Sequence, residues 1–142
     1  MRYRRHTAGF TLIEILVVLV ILGLLAGLVG PRLFGKVDSS KVKTAQTQVK
    51  MLKTSLQTFR LDLGRFPTTE EGLAALERKP DSQDAHLWAG PYLDEALPLD
   101  PWGNPYQYRA EPAAGQEFTL YSFGADGQAG GEGLAADIGY VP

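Results

Sequence analysis

A run of apolar residues from Phe10 to Gly30 constrains this chain more than any other feature of its sequence. Of the 21 residues in the run, only Glu14 is charged. At the α-helical rise of about 1.5 Å per residue, the run covers roughly 32 Å, enough to cross the hydrocarbon core of a bilayer. A carboxylate costs about 2.5–3.5 kcal/mol at the centre of a membrane helix and less near its ends. The sequence therefore predicts a membrane-spanning helix in which the charge of Glu14 requires a partner.

The formal net charge of −2 conceals a strong asymmetry along the chain. Residues 30–60 carry seven Lys or Arg against one Asp, whereas residues 61–142 carry four Lys or Arg against fourteen Asp or Glu. A basic shaft followed by an acidic head indicates a subunit that assembles with copies of itself. The alternatives are that the two halves face each other within one chain or remain solvated. The acidic head argues against nucleic acid as a partner.

Composition also argues against several classes of chemistry. The chain has no cysteine, which removes disulfides and thiolate sites, and its two histidines, His6 and His86, are far apart. The sequence contains neither a Ser/His/Asp constellation nor a phosphate-binding loop, so a membrane-anchored periplasmic hydrolase is the weakest interpretation. The length leaves room for one small domain besides the membrane segment.

Residues 1–9 form a short basic leader that contains Arg2, Arg4 and Arg5. Basic residues before an apolar helix favour retention of that end in the cytoplasm. A conventional secretory signal has an apolar stretch of about 7–15 residues followed by a small-residue cleavage site, whereas the present run is longer and contains Glu14. An uncleaved anchor accounts for the length of the run but leaves the carboxylate unexplained.

The sequence GFTLIE at residues 9–14 resembles the processing motif of type IV pilins and of the pseudopilins of type II secretion. The resemblance implies that a prepilin peptidase cuts the Gly9–Phe10 bond, removes the leader and methylates the new amino terminus of Phe10. Residues 10–30 are then a transmembrane helix that becomes the filament core. Glu14 is the assembly carboxylate, which neutralises the terminal amine of a neighbouring subunit. Such a pair serves registration more than stability, because desolvation offsets much of its attraction.

The helix is expected to continue into water over residues 31–63 as an amphipathic segment. Its apolar residues are spaced alternately by three and four, which places them in one stripe along the helix. These residues are Val42, Ala45, Val49, Leu52, Leu56, Phe59 and Leu63. The stripe indicates packing on a small sheet, although a coiled-coil dimer has the same pattern. Because Pro31 lacks an N–H, a helix break or kink is predicted at Gly30 and Pro31.

The head, residues 64–142, is predicted to open with a helix stop and a second, short helix. Gly64 is suited to end the long helix, because glycine readily adopts the left-handed geometry of a C-terminal cap. Thr68 and Glu71 then match a capping box, which predicts a short helix over residues 69–78.

The rest of the head is predicted to be an ordered loop followed by a small antiparallel sheet. Residues 80–105 are rich in Pro, Asp and Gly and contain aromatic anchors, which indicates an ordered loop. Alternating β-like runs follow at residues 106–109 and 118–123, and residues 138–141 either add a third strand or dock on the other two. With the long helix packed on this sheet, the predicted fold class is α+β with a pilin-like architecture.

Three further segments narrow the resemblance to the major pseudopilins of the type II secretion system. These are GRFPTTEEGL at residues 64–73, GPYL at residues 90–93 and DPWGNPY at residues 100–106. The resemblance implies a non-enzymatic subunit that polymerises with copies of itself into a periplasmic pseudopilus and drives folded proteins through an outer-membrane secretin. The implied location is the bacterial inner membrane, with the head in the periplasm. The implied partners are minor pseudopilins, the prepilin peptidase and an inner-membrane assembly platform.

A major or minor type IV pilin is the alternative to this function. Against it stand the lack of the C-terminal cysteine pair that is common in pilins and the presence of the motif at residues 100–106.

An acidic, glycine-rich loop at residues 124–138 is the candidate metal site. Composition alone favours a plain turn, although carbonyl and carboxylate oxygens suit calcium. The resemblance implies a calcium site that uses the carbonyl of Phe123 and the carboxylate of Asp126. Relatives have an Asp just before an Ala-Asp-Ile-Gly sequence, where this chain has Leu-Ala. Glu132 or Asp137 therefore has to compensate if calcium binds.

Overall fold

Helix α1 extends from Leu12 to Leu63 in the computed structural model, which describes residues 8–111 and 114–142 apart from the side chain of Phe34. The predicted leader, residues 1–9, therefore lies almost wholly outside the described residues. The chain divides after Val37 into two compact units, and α1 contributes residues to both.

In the first unit the apolar side chains of α1 are uncovered. Up to residue 30, the exposed fractions of the large hydrophobic side chains range from 48% at Val29 to 91% at Leu12. By length and composition, α1 is the one helix in the described part of the chain that can cross a membrane. Contact of this much apolar surface with water is unfavourable, so the segment is suited to burial in lipid or against other helices.

The break predicted at Gly30 and Pro31 is absent from this single chain, because α1 continues through Pro31. Proline removes one backbone donor, and its ring crowds the carbonyl four residues earlier, here that of Gly27. One missing hydrogen bond in a helix of 52 residues leaves the turns on both sides intact. The kink at this point stays a prediction.

In the second unit the predicted apolar stripe of α1 forms the centre of the hydrophobic core. Its buried members are Ala45, Val49, Leu52, Leu56, Phe59 and Leu63, and Val42 is half-buried. Buried residues of the head complete the core, among them Leu73, Leu76, Leu93, Phe118 and Leu120. Full burial of one such side chain contributes about 1.5–3 kcal/mol, so the stripe supplies much of the stability of this unit. The prediction that the stripe packs on the head is confirmed.

Three short strands form an antiparallel sheet in the order β1-β2-β3. They are β1 (Gln107–Arg109), β2 (Thr119–Ser122) and β3 (Ile138–Tyr140). Leu120 in β2 is opposite Tyr108 of β1 and Tyr140 of β3, and it is fully buried. The α+β fold class is confirmed, and the segment near the carboxyl end is a third strand.

The close approach of β3 to its neighbours requires Gly139. This residue has φ 128°, and a Cβ there would lie 2.4 Å from the carbonyl oxygen of Leu120 and 3.2 Å from Cγ1 of Val49. The adjacent Tyr140 contacts α1 through Lys53, whose Nζ lies 3.3 Å from the tyrosine hydroxyl and 4.7 Å from the ring centre. These contacts hold the last strand against the helix.

The prediction of a helix over residues 69–78 is wrong. Thr68 and Glu71 do form a capping box, in which the Thr68 N–H donates to Glu71 Oε2 over 2.8 Å and the Glu71 N–H donates to Thr68 Oγ1 over 3.1 Å. After one turn, Gly72 adopts φ 59° and ψ −164° and leaves helical geometry. A 3-10 helix of four residues, Leu73–Leu76, follows instead.

The loop over residues 80–105 contains a second 3-10 helix, Ala85–Leu87, and is held by aromatic side chains. The Trp88 indole N–H donates to the carbonyl of Ala75 over 2.9 Å. The Tyr92 hydroxyl donates to the carboxylate of Asp62 on α1 over 2.7 Å. The loop is therefore ordered by contacts with the core and with the helix.

Candidate functional site

The start of α1 carries a reciprocal pair of hydrogen bonds between Thr11 and Glu14. The Thr11 N–H donates to Glu14 Oε2 over 2.8 Å, and the Glu14 N–H donates to Thr11 Oγ1 over 3.2 Å. This is a capping box, which satisfies backbone N–H groups that have no partner within the helix. The Thr-x-x-Glu spacing signals such a box in the sequence, although the prediction above considers only a partner of Glu14 in another subunit.

The capping box keeps the carboxylate of Glu14 at the amino end of α1. The helix dipole is positive there, so this position favours an anionic side chain. Gly9 and Phe10 lie in the non-helical segment that precedes α1, and the Phe10 side chain is 87% exposed. The predicted scissile bond is therefore exposed, and cleavage there would create an amine at the same end of the helix as Glu14.

The second candidate site is the segment over residues 124–138, termed the glycine loop below. It contains two 3-10 helices, Gly124–Asp126 and Gly133–Ala135, which contact each other. Gly131 has φ 90°, and a Cβ there would lie 2.4 Å from the carbonyl oxygen of Ala135. The tight turn therefore requires glycine and packs backbone carbonyl groups closely within the loop.

The three acidic residues predicted as calcium ligands differ in their surroundings. Asp126 Oδ1 accepts a hydrogen bond from the Gln128 N–H over 3.1 Å, and Asp137 Oδ2 accepts one from the Gly130 N–H over 3.0 Å. The other carboxylate oxygen of Asp137, Oδ1, is buried and has no hydrogen-bond partner in the described structure. Glu132 is exposed. A buried oxygen without a partner is costly, and a cation would remove that cost.

The donor atoms of the glycine loop suit a hard cation, but the acids do not form one cluster. Calcium takes about six to eight oxygen ligands from carboxylates, backbone carbonyls and water. Across residues 8–111 and 114–142, no group of three or more His, Cys, Asp or Glu side chains lies close enough to hold a metal ion. A calcium site here would therefore combine Asp126 and Asp137 with backbone oxygens such as that of Phe123.

Asp100 is a buried carboxylate that the sequence did not identify, with only 4% of its surface exposed. Its Oδ1 accepts the N–H groups of Trp102 and Asn104 over 3.1 and 2.8 Å, and its Oδ2 accepts the Ser122 hydroxyl over 2.6 Å. The Ser122 oxygen accepts the Gly124 N–H over 3.0 Å. Asp100 thus links its own turn to the first residue of the glycine loop. The turn signal was visible in the sequence, but the link to Ser122 was not.

Arg65 organises the segment that follows α1. Its guanidinium donates two hydrogen bonds to the Glu71 carboxylate, over 2.7 and 3.0 Å, and two to the Asp84 carboxylate, over 2.6 and 2.9 Å. These hydrogen bonds hold the pKa of Asp84 far below its usual range and also lower the pKa of Glu71. The cluster is partly exposed, so solvent screens its charges, and its main effect is to connect two distant parts of the head.

Two family models match the chain. Residues 4–30 match the prokaryotic N-terminal methylation motif, which places the chain in the class of proteins that carry this motif. Residues 32–141 match the model of type II secretion system protein G. The chain belongs to the type II secretion system protein G family.

Individual relatives agree with this assignment. The type II secretion system core protein G of Pseudomonas aeruginosa is 48% identical over 138 residues, which is 96% of each chain. The protein of the same description from Vibrio cholerae is 43% identical over 140 residues, which cover 98% of this chain and 94% of the relative. The crystal structure of the major pseudopilin from the type 2 secretion system of enterohaemorrhagic Escherichia coli is 34% identical, with a TM-score of 0.58. It covers 76% of this chain and 92% of the other.

These similarities confirm the resemblance that the motifs predicted. They favour the protein G family over the alternative of a type IV pilin. The predicted cleavage site, assembly carboxylate and calcium ligands are individual residue roles that the similarities leave as predictions.

Replacement of Arg65 by Gln is expected to make the stability of the head less sensitive to acid. The pKa values of Glu71 and Asp84 are lower in the folded than in the unfolded chain. The two carboxylates therefore contribute fully to the free energy of unfolding above about pH 5, and this contribution is lost as the pH falls through their folded pKa values. Arg65 is the largest cause of both pKa shifts, so without it the shifts become smaller and the free energy of unfolding should fall less steeply between about pH 5 and pH 2. Urea unfolding in detergent micelles, followed by tryptophan fluorescence, measures this slope.

The matched control is Arg60→Gln, which removes an arginine whose partner is the exposed Glu117. This variant should keep the wild-type slope, because an exposed ion pair contributes little to stability. Equal slopes for the wild type and Arg65→Gln would contradict the prediction.

Proposed function

We propose that this chain is the major structural subunit of the pseudopilus of a type II secretion system and that it acts without catalysis. The observation that carries this function is the capping box of Thr11 and Glu14 at the start of an uncovered apolar helix. Copies of the helix can bury their apolar surfaces against one another, and the single carboxylate supplies their register. The resulting periplasmic filament drives folded proteins through the outer-membrane secretin.

Processing prepares the chain for assembly. A prepilin peptidase cuts the Gly9–Phe10 bond and methylates the nitrogen of Phe10, which leaves a cationic amine just before α1. Glu14 of an incoming subunit then exchanges its hydrogen bond from the Thr11 N–H for the amine of a neighbour. The carboxylate therefore has a hydrogen-bond donor before the exchange and a cation after it, so at no stage is it left without a polar partner in the membrane.

The proposed location is the inner membrane, with the amino terminus in the cytoplasm and the head in the periplasm. Residues 10–30 span the membrane before assembly and form the filament core afterwards. The other partners are minor pseudopilins and the inner-membrane assembly platform. Gly30 and Pro31 are the positions where α1 loosens on transfer into the filament, because Pro31 leaves one carbonyl without its helical donor.

We further propose that the glycine loop binds calcium. The proposed ligands are the carbonyl oxygen of Phe123 and the carboxylates of Asp126 and Asp137, and the exposed Glu132 adds negative charge to the loop. The unpartnered Oδ1 of Asp137 supports this proposal, because a buried carboxylate oxygen gains most from a cation. When bound, calcium would supply a positive charge that connects the start of the loop, at Phe123 and Asp126, to its end at Asp137.

Replacement of Gly9 by Leu is expected to leave an uncut precursor. The predicted cleavage position has no side chain, and a branched side chain there would obstruct the peptidase at the bond itself. Mass spectrometry of the amino terminus, on membranes of cells that contain the secretion system, distinguishes the precursor from the mature chain. Ala8→Leu, one residue further from the bond, should mature normally. Normal maturation of Gly9→Leu would contradict the proposed cleavage site.

Replacement of Glu14 by Gln is expected to allow processing and membrane insertion but to prevent assembly. The amide can still accept the Thr11 N–H, so the helix start is kept, but it cannot neutralise an amine. A loss of about 1.4 kcal/mol per contact lowers an association constant tenfold, so the filament yield should fall by at least that factor. Electron microscopy and shearing assays measure the yield. Thr11→Ser, which keeps the hydroxyl, is the control, and a wild-type yield from Glu14→Gln would remove the assigned role.

Calorimetric titration of the detergent-solubilised chain with calcium tests the metal site. The wild type should release or absorb heat with a saturable isotherm, and Asp126→Ala and Asp137→Asn should bind calcium at least about tenfold more weakly. Asp81→Asn removes an exposed acid outside the glycine loop and should bind like the wild type. A wild-type chain that gives no binding heat, and none of whose amides change on addition of calcium, has no such site.

A further inference from the structure

We propose that Asp100 and Ser122 are positioning residues for the glycine loop and set the shape in which it takes a divalent cation. This inference rests on the calcium site proposed above. Neither residue belongs to the proposed ligand set, since the carboxylate of Asp100 already accepts three hydrogen bonds from neighbouring residues. Their role is to hold the backbone from which the ligands project.

The geometry begins with the hydroxyl of Ser122, which is fully buried at the end of β2. This hydroxyl donates to Asp100 Oδ2 over 2.6 Å and accepts from the Gly124 N–H over 3.0 Å. Both functions of the hydroxyl are therefore used, and its direction is set by the carboxylate. The residue between them, Phe123, carries the proposed carbonyl ligand, so the orientation of its peptide group depends on the bond to Gly124.

The turn of Asp100 also comes close to the glycine loop at Asn104. The N–H of Asn104 donates to Asp100 Oδ1 over 2.8 Å, and the side-chain nitrogen of Asn104 lies 3.5 Å from the position that a Cβ on Gly127 would occupy. Gly127 directly follows Asp126, the proposed carboxylate ligand. The buried carboxylate thus links to Gly124 through Ser122 and also fixes the backbone of Asn104, whose side chain lies beside Gly127.

The later part of the glycine loop, at Ala136, packs closely against Gly124, whose N–H donates to Ser122. Gly124 has φ 72°, and a Cβ there would lie 2.5 Å from the carbonyl oxygen of Ala136. Ala136 directly precedes Asp137, which carries the unpartnered carboxylate oxygen. A shift of the Gly124 amide would therefore also move the backbone next to Asp137, the second proposed carboxylate ligand.

Charge adds to this effect of position. The three donors to Asp100 are two backbone N–H groups and a hydroxyl, none of which carries a charge that offsets the charge of a carboxylate. Interactions between charges are stronger in a protein interior than in water. The buried charge of Asp100 therefore favours a cation in the adjacent glycine loop, whereas Ser122 acts through position alone.

The test compares Ser122→Ala, Asp100→Asn and the wild-type chain in detergent micelles, with Ser55→Ala as the matched control. Ser55 is also a buried serine, but its hydroxyl donates to the carbonyl of Met51 within α1. Two quantities are measured: amide hydrogen exchange at Gly124 to Gly131 in calcium-free buffer, and calcium affinity by calorimetry. Thermal unfolding of each variant identifies any that fails to fold. If Ser122→Ala does not fold, the isosteric variant Asp100→Asn carries the test.

We expect both variants to exchange these loop amides faster than Ser55→Ala and to bind calcium about tenfold more weakly, the effect typical of residues that orient metal ligands. Asp100→Asn should lose more affinity than Ser122→Ala, because it also removes the charge. Unchanged exchange and affinity in both variants would overturn the proposal, as would faster exchange with wild-type affinity. If the wild type binds no calcium, the metal site itself is refuted, and with it the role toward a cation. Exchange then still shows whether Asp100 and Ser122 hold the loop.

Discussion

The burial of one apolar stripe of α1 against a three-stranded sheet is the interaction on which the rest of the head depends. Strands of three or four residues do not form a stable sheet by themselves, so β1, β2 and β3 require the helix behind them. Phe59 of α1 and Leu120 of β2 are fully buried in one hydrophobic core, and Gly139 allows β3 to approach closely. The loops that carry the other features are attached to this packed layer.

The same local chemistry starts two segments with different outcomes. Thr11 with Glu14 and Thr68 with Glu71 form equivalent capping boxes. The first opens a helix of 52 residues, whereas the second opens a single turn because Gly72 departs from helical geometry. In the first box the glutamate also lies in an apolar segment, where it needs a partner at every stage. The proposed exchange from its own helix to a neighbouring amine meets that need.

Polar anchors hold the long irregular segments of the head, which has no cysteine to link them covalently. Arg65 joins the start of the head to Asp84, and Asp100 joins its turn to Ser122 at the end of β2. Each anchor uses charge-assisted hydrogen bonds, which are stronger than bonds between neutral groups. The glycine loop begins next to the second anchor, so its first residue is linked to a carboxylate distant in sequence.

The sequence by itself determined the long apolar helix, the buried stripe of α1, the N-terminal methylation motif and the positions of the strands. These features depend on the spacing and composition of residues that are close in sequence, and periodicity and capping patterns are local signals of this kind. Tertiary structure decided the early end of the turn at Gly72 and the link from Asp100 to Ser122. The last of these joins residues 22 positions apart, and no local pattern specifies such a contact, because it arises only when the core brings the two segments together.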